Sequence, residues 1–216
     1  SFRGVTYEWW DIFKTSPQYN RDVCALNGPV VFNGPMASVT WKGGSGTWSS
    51  GGNHWDGADM YGASLTAYAW QNRETWATFN ASTGTDIALS GTVIAHGLTI
   101  SAGATGYVFN GVSGGALTVT SGGITANETA AINAPVTIGA PQTWTVASGK
   151  TLTIGGDLHT IISNLTITGS ADTVVTGSID GGGALNAMGA APGKIILTSG
   201  AYLWLNGAAS YSVDID

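Results

Sequence analysis

The sequence predicts an all-β protein, built as a right-handed parallel β-helix of about seven coils with an N-terminal cap. A three-residue phrase, apolar-Thr-apolar, occurs at residues 98–100, 117–119 and 136–138, with nineteen residues between successive copies. Alternation of this kind is the period of a β-strand, and a repeat of roughly twenty residues is typical of a solenoid. We therefore expect Leu98, Leu117 and Val136 to stack inward at equivalent positions of consecutive coils.

The composition agrees with a repetitive β protein. Charged residues make up only 9% of the 216 residues, whereas 43% are hydrophobic and 33 are glycine. So large an apolar fraction argues against disorder, and no apolar run approaches the ~20 residues that a membrane helix needs. The net charge of −6 comes without a basic stripe, so we expect no nucleic-acid partner and no membrane insertion.

Composition also divides the chain into an N-terminal part and a repeat. Residues 1–80 hold fifteen of the twenty-one aromatic residues, and the remainder is rich in Gly, Thr, Ser and Ala. An open solenoid end would recruit other strands, so a segment must cover it. We assign this role to residues 1–40, and we assign residues 41–216 to the β-helix, as one domain overall.

Glycine pairs separate the short apolar strings of the repeat, as at Gly114-Gly115, Gly122-Gly123 and Gly155-Gly156. Glycine accepts the positive φ that sharp corners require, so these pairs predict the bends between strands. A glycine-rich stretch at residues 43–46 lacks the Lys and Ser/Thr of a nucleotide-binding loop, and we interpret it as a corner as well.

A series of short motifs stands between the cap and the repeat. These are WKGGSGTW at 41–48, NHWD at 53–56, ATFN at 77–80, LSGTV at 89–93 and GLTI at 97–100. Their order resembles the start of autotransporter-associated β-strand repeat proteins, and the resemblance covers about residues 39–205. It implies a secreted or cell-surface bacterial β-helix, either an adhesin passenger or a module attached to a polysaccharide-degrading enzyme. The chain is similar in this respect to β-helical carbohydrate-binding modules of the xylan-binding type.

The sequence departs from that pattern at residues 56–75, where an aromatic segment fills a connection that is normally brief. Aromatic rings and nearby amides and acids are the groups that bind sugars, so we expect the ligand site here. Trp70 is the first candidate. The remaining candidates are Tyr68, Tyr61, Trp76, Asn72, Arg73 and Asp59, followed by Trp144 and Trp204 in later strands. The alternative is that these rings pack inward against the coils.

Two other chemistries have weaker support. Asp56 and Asp59 could supply two oxygen ligands to Ca²⁺, but the loop lacks a third acid, and we expect no cofactor. Asp157 could approach Asp172 or Asp180 as the carboxylate pair of a glycosidase, with Lys194 as the basic group of a lyase. These acids mostly lie beside glycines, where turn residues are expected.

The sequence therefore predicts a non-catalytic carbohydrate-binding module that attaches a secreted polysaccharide-degrading enzyme to plant polysaccharide, with xylan the first candidate. Its partners would be the polysaccharide and a covalently linked catalytic domain. The chain begins at Ser1 and ends in mid-alternation, so we interpret it as a piece of a longer polypeptide. The alternative function is a passenger fragment of an autotransporter-type adhesin, and the third is a polysaccharide lyase or hydrolase.

Overall fold

The structure is a computed structural model that describes residues 37–59, 64–72, 75–82, 86–160, 163–180, 193–206, 211–212 and 214–216. Most of the predicted cap, residues 1–36, lies outside this range. Within the described residues no helical segment has the length and apolar character needed to cross a bilayer. The described part of the chain is all-β.

The strands alternate buried and outward side chains along most of their length. In chain order they are β1 (Ala37–Trp41), β2 (Gly46–Ser49), β3 (Trp55–Asp59), β4 (Ser64–Tyr68), β5 (Thr75–Phe79), β6 (Asp86–Ile100), β7 (Tyr107–Ala126), β8 (Ala130–Ile132), β9 (Val136–Ile138), β10 (Gln142–Val146), β11 (Thr151–Ile154), β12 (Leu158–His159), β13 (Leu165–Thr168), β14 (Asp172–Val175), β15 (Ile179–Asp180), β16 (Lys194–Leu197), β17 (Tyr202–Leu205), β18 (Tyr211–Ser212) and β19 (Asp214–Ile215).

These strands stack in parallel as three ladders, which is the arrangement of a β-solenoid. Ladder A contains β1, β5, residues 97–100 of β6, residues 123–126 of β7, β10, β13, β16 and β19. Ladder B contains β2, residues 86–90 of β6, residues 108–112 of β7, β8, β11, β14 and β17. Ladder C contains residues 92–95 of β6, residues 116–119 of β7, β9, β12, β15 and β18.

The predicted number of coils is wrong. Residues 86–168 form four consecutive coils, each with one strand in every ladder, whereas the strands that follow are separated by residues outside the described range. The described solenoid therefore has about four turns rather than seven. A coil is longer than nineteen residues at most steps. In ladder C, 24 residues separate Val93 from its partner Leu117, 19 separate Leu117 from Val136, and 22 separate Val136 from Leu158. The same ladders continue through β14–β19, and the handedness of the coil stays a prediction.

The predicted stacking of Leu98, Leu117 and Val136 holds for only two of the three residues. Leu117 and Val136 are register partners in ladder C, but Leu98 pairs with Ile124 in ladder A. All three side chains are fully buried. The apolar-Thr-apolar phrase is a property of any strand with one face inward, so it recurs on all three sides of the coil. The first nineteen-residue interval thus measures a change of ladder rather than one turn.

The aromatic segment that departs from the repeat pattern forms an antiparallel hairpin, β3–β4. Strand β3 pairs with β1 on the side opposite to β5, and therefore extends ladder A beyond its first parallel strand. The close approach of β3 requires glycine, because a Cβ at Gly57 would lie 2.3 Å from the Ser38 carbonyl oxygen. Residues 37–40, which the sequence analysis assigned to the cap, form most of β1.

Candidate functional site

Trp70, the first predicted ligand residue, is fully buried. Its ring lies edge-on to Trp48, with centroids 4.8 Å apart, and 4.9 Å from Trp55. The indole nitrogen donates a 3.2 Å hydrogen bond to Asn72 Oδ1. The ring offers no face to a ligand. The alternative of inward packing is correct for Trp70, because the chain after β4 places the ring against Trp48 and Trp55 in the core.

Asn72 is engaged in the same way. Its Oδ1 also accepts a 3.0 Å bond from the Ile94 amide, and its Nδ2 donates a 2.7 Å bond to the Thr92 carbonyl. The side chain thus completes backbone hydrogen bonding of β6 at the point where β6 bends between ladders B and C. The amide orients the Trp70 indole and the β6 backbone rather than a bound sugar.

The other predicted residues of this segment are Tyr68, Asp59, Tyr61 and Arg73. Tyr68 is half-buried against the core, with its hydroxyl 3.5 Å from Thr75 Oγ1. Asp59 ends β3, and its side chain lies outside the described residues, as do Tyr61 and Arg73.

Trp144 is also a core residue. It is fully buried, and its indole nitrogen donates a 2.9 Å hydrogen bond to Gln142 Oε1. The Gln142 amide nitrogen in turn donates a 2.7 Å bond to the Val119 carbonyl. Burial of the ring without loss of its N–H bond requires a polar partner inside the coil, and Gln142 supplies it.

The Asp56 carboxylate has partners other than a metal ion. Its Oδ1 accepts a 2.8 Å bond from the Ala67 amide and lies 3.3 Å from Lys42 Nζ. The Ala67 hydrogen bond, followed by the contact with Lys42, holds the pKa of Asp56 below its ordinary value. Among the residues that the structure describes, no group of three His, Cys, Asp or Glu side chains is arranged to hold a metal ion.

The acids considered for catalysis do not all lie on one ladder, since Asp172 is separated from the other two. Asp157 Oδ1 accepts a 3.0 Å bond from the Ser178 amide at the corner before ladder C. Asp172 begins β14 in ladder B, and Asp180 is the register partner of His159 in ladder C. Lys194 forms a 3.0 Å ion pair with Asp216.

Among the predicted residues whose side chains the structure describes, Trp204 is the most exposed, and it has an aromatic neighbour. Tyr202 and Trp204 are 60% and 56% exposed, and both point outward because Leu203 between them packs against the core. Two residues apart on one strand, the side chains begin ~6.6 Å from each other. The Trp204 indole nitrogen donates a 3.1 Å bond to Asp172 Oδ1, which holds the ring against the neighbouring strand. We call Tyr202 and Trp204 the aromatic platform.

Trp76 lies partly exposed on the outer face of ladder A. Its indole nitrogen donates a 2.8 Å bond to Thr99 Oγ1 in the next strand. The ring covers bare backbone, because a Cβ at Gly97 would come within 3.1 Å of it and a Cβ at Gly122 within 2.8 Å. His96 lies beside the ring, with centroids 5.4 Å apart. The two glycines are therefore necessary for this ring position.

A shallow groove of about 410 Å³ begins next to Trp76, at Gly122, and crosses four strands of ladder A. Its walls include Ser121 and Asn164 at the corners of the coils, and Thr143, Thr166 and Ile196 on the outer face. Sequence reasoning missed this groove. The pairs Thr143/Thr145 and Thr166/Thr168, each enclosing a buried residue, were the available signal for an outward threonine surface.

The structure thus separates the predicted site residues into core residues and surface residues. Trp70 and Trp144 belong to the core, whereas Trp76 and Trp204 lie on different ladders at the surface.

The resemblance to autotransporter-type repeats and xylan-binding modules stays a prediction from the sequence motifs. Comparison of the chain with protein-family models, with curated proteins and with solved structures finds no match.

Proposed function

We propose that this chain is a non-catalytic carbohydrate-binding module whose aromatic platform binds the polysaccharide substrate of a linked, secreted enzyme. Xylan is the first ligand to test, and that choice rests on the resemblance of the sequence motifs. The observation that carries the proposal is the exposure of two neighbouring rings, Tyr202 and Trp204, on one face of β17. Exposed rings on adjacent outward positions are a suitable surface for sugar rings, whose C–H faces stack on aromatic faces.

The fixed position of the platform supports this proposal. The Asp172 carboxylate holds the Trp204 indole, so less side-chain freedom remains to be lost when a ligand binds. The register partners of the platform on the two neighbouring strands extend the same surface. Asp172 and Thr151 continue the column of Tyr202, and Val174 and Thr153 continue the column of Trp204. The hydroxyl groups of Thr151 and Thr153 therefore lie two strands from the rings, within the length of a short oligosaccharide.

Affinity electrophoresis of the whole chain in gels containing xylan, cellulose, pectin or β-glucan tests the proposal. We expect retardation in at least one gel, and we expect Trp204→Ala to reduce it severalfold. Val112→Ala is the matched control, because Val112 is an exposed apolar residue at the end of the ladder B part of β7, four strands along the stack from β17. The circular dichroism spectra of both variants should equal that of the unmodified chain.

The same samples distinguish the alternatives. A binding module leaves the polysaccharide intact, so no reducing sugar or unsaturated product should appear during incubation. Turnover that is abolished by Asp157→Ala, Asp172→Ala or Asp180→Ala would overturn the proposal in favour of an enzyme. Binding to cells combined with no retardation by any polysaccharide would favour the adhesin passenger.

A further inference from the structure

We infer that the groove on ladder A is a second glycan site, for an extended and uncharged chain that runs along the stacking axis of the coils. The inference rests on the proposed function for the class of ligand. The location is independent of it, because the groove belongs to ladder A and the aromatic platform to ladder B. One molecule would then bind two separate glycan chains.

The direction of the ligand follows from which strands contribute to the groove. Gly122 precedes the ladder A part of β7, Thr143 lies on β10, Thr166 on β13 and Ile196 on β16. Thr143 pairs with Thr166, and Thr166 with Ile196, so the wall is a column perpendicular to the strands. Four strands at ~4.8 Å give the column a length of about 14 Å. One sugar residue of an extended glycan is close to one strand spacing in length, so successive sugars meet successive strands.

The chemistry of the lining selects a neutral ligand. All eight residues that line the groove are uncharged, and they supply the hydroxyls of Ser121, Thr143 and Thr166 and the amide nitrogen of Asn164, whose Oδ1 already accepts the Lys194 amide. Lys194 lies two residues from Ile196 on the same face, but its Nζ is paired with Asp216, so a uronate chain would lose hydration of its carboxylates with little compensation here. A neutral glycan instead exchanges hydrogen bonds with water for hydrogen bonds with these groups.

Trp76 lies beside one end of the column, where its ring adjoins Gly122. The ring lies over Gly97 and Gly122, and its Nε1–H is held by Thr99. A sugar at this end would stack against the exposed part of a ring that is already fixed. Ligand pockets commonly combine a mostly fixed apolar surface with a few polar groups, and their volumes start at ~300 Å³. The groove exceeds this volume, but its own lining is mostly polar, and the fixed apolar surface beside it is Trp76.

Thr143→Arg and Thr145→Arg form a matched pair of variants to test the site. Both threonines are exposed on β10, but only Thr143 lines the groove. The measurement is an NMR titration of the ¹⁵N-labelled whole chain with a β-1,4-linked xylose hexasaccharide, and with a galacturonic acid hexasaccharide as the charged counterpart. We expect the xylose probe to shift amide signals of residues 121–123, 142–144 and 164–167. Thr143→Arg should weaken this response by at least about tenfold, and Thr145→Arg should leave it within about twofold.

The titration separates the two proposals. Shifts restricted to residues 202–205 would overturn the groove site and leave the aromatic platform in place. Groove shifts that persist in Trp204→Ala would establish the second site even if the platform failed. An equal or stronger response to the galacturonic acid probe would overturn the neutral-ligand assignment. With both sites active, the unmodified chain should also cross-link soluble xylan and raise its turbidity, and either Thr143→Arg or Trp204→Ala should abolish this effect.

Discussion

The indole nitrogen of Trp204 donates a 3.1 Å hydrogen bond to the carboxylate of Asp172 on the neighbouring strand of ladder B. The two side chains are not direct register partners, since Asp172 pairs with Tyr202 and Trp204 with Val174. The bond therefore runs diagonally across the outer face, because it joins the Trp204 ring to the residue that is paired with Tyr202.

This relationship predicts that Asp172 positions the platform. Asp172→Ala should weaken polysaccharide binding about fivefold, because a single hydrogen bond is worth ~1 kcal/mol net. Asp172→Asn retains an oxygen acceptor and should bind nearly as well as the unmodified chain. Affinity electrophoresis gives the binding, and the NMR signal of the Trp204 indole N–H reports whether the bond persists. Equal losses in both variants would mean that the carboxylate contacts the ligand itself.

The inward and outward positions of one strand should differ in their contribution to stability. Leu117 is fully buried, whereas Thr118 lies partly exposed on the outer face between Ile94 and Thr137. Leu117→Ala should lower the free energy of unfolding by about 2–5 kcal/mol, because it leaves a cavity in the coil. Thr118→Ala should cost less than ~1 kcal/mol. Urea unfolding curves measure both values, and equal losses would contradict the assignment of the two faces.

Trp70 and Trp204 should behave as opposites when each is replaced by alanine. Trp70 is enclosed by Trp48 and Trp55, so Trp70→Ala should cost about 3–5 kcal/mol of unfolding free energy. Trp204 is 56% exposed, so Trp204→Ala should cost less than ~1 kcal/mol. Thermal unfolding followed by circular dichroism tests this difference. A Trp70→Ala variant with unchanged stability would contradict the position of the ring in the core.

Low pH should weaken the contacts of Glu128 with Gly103 and Lys150. These contacts join the corner before β8 to the corners before β7 and β11. Glu128 accepts a 2.6 Å bond from Lys150 Nζ and a 3.1 Å bond from the Gly103 amide. The Lys150 bond first, and the Gly103 bond second, hold the pKa of Glu128 below its ordinary value. The folded state therefore binds this proton less readily than the unfolded state. The resulting stabilisation is present above the unfolded pKa of about 4.3 and disappears as the pH falls through the folded pKa.

The measurement for this prediction is the difference in melting temperature between the unmodified chain and Glu128→Gln, taken from pH 7 to pH 3. We expect the unmodified chain to melt higher at neutral pH and the difference to shrink below about pH 4. Lys150→Met should remove the same pH-dependent part. A difference that is constant over the whole pH range would show that the ionised carboxylate is not its source.

Features of the fold that depend on neighbouring residues could be predicted from the sequence, whereas features that depend on distant residues could not. Alternation within a strand depends only on neighbouring residues, so the buried positions of Leu117, Val136 and Leu152 could be predicted from the local pattern. The ladder to which each strand belongs depends on the length of every corner before it. Corners differ in length, so residues that are equally spaced in the sequence need not occupy equivalent positions in successive coils. For this reason the predicted stacking of Leu98 on Leu117 was wrong.

The amino-acid pattern was sufficient to predict a β-solenoid, because repeated alternation between glycine corners leaves few other ways to bury the apolar residues. Which tryptophans face solvent, in contrast, depends on contacts between distant parts of the chain. Trp70 and Trp204 stand in similar local sequence, beside polar and apolar neighbours alike. Trp70 is buried because the β3–β4 hairpin folds it against Trp48 and Trp55, and Trp204 is exposed because the alternation of β17 turns it outward. Likewise the groove exists because Gly122, Thr143, Thr166 and Ile196, distant in sequence, meet on successive strands of one ladder.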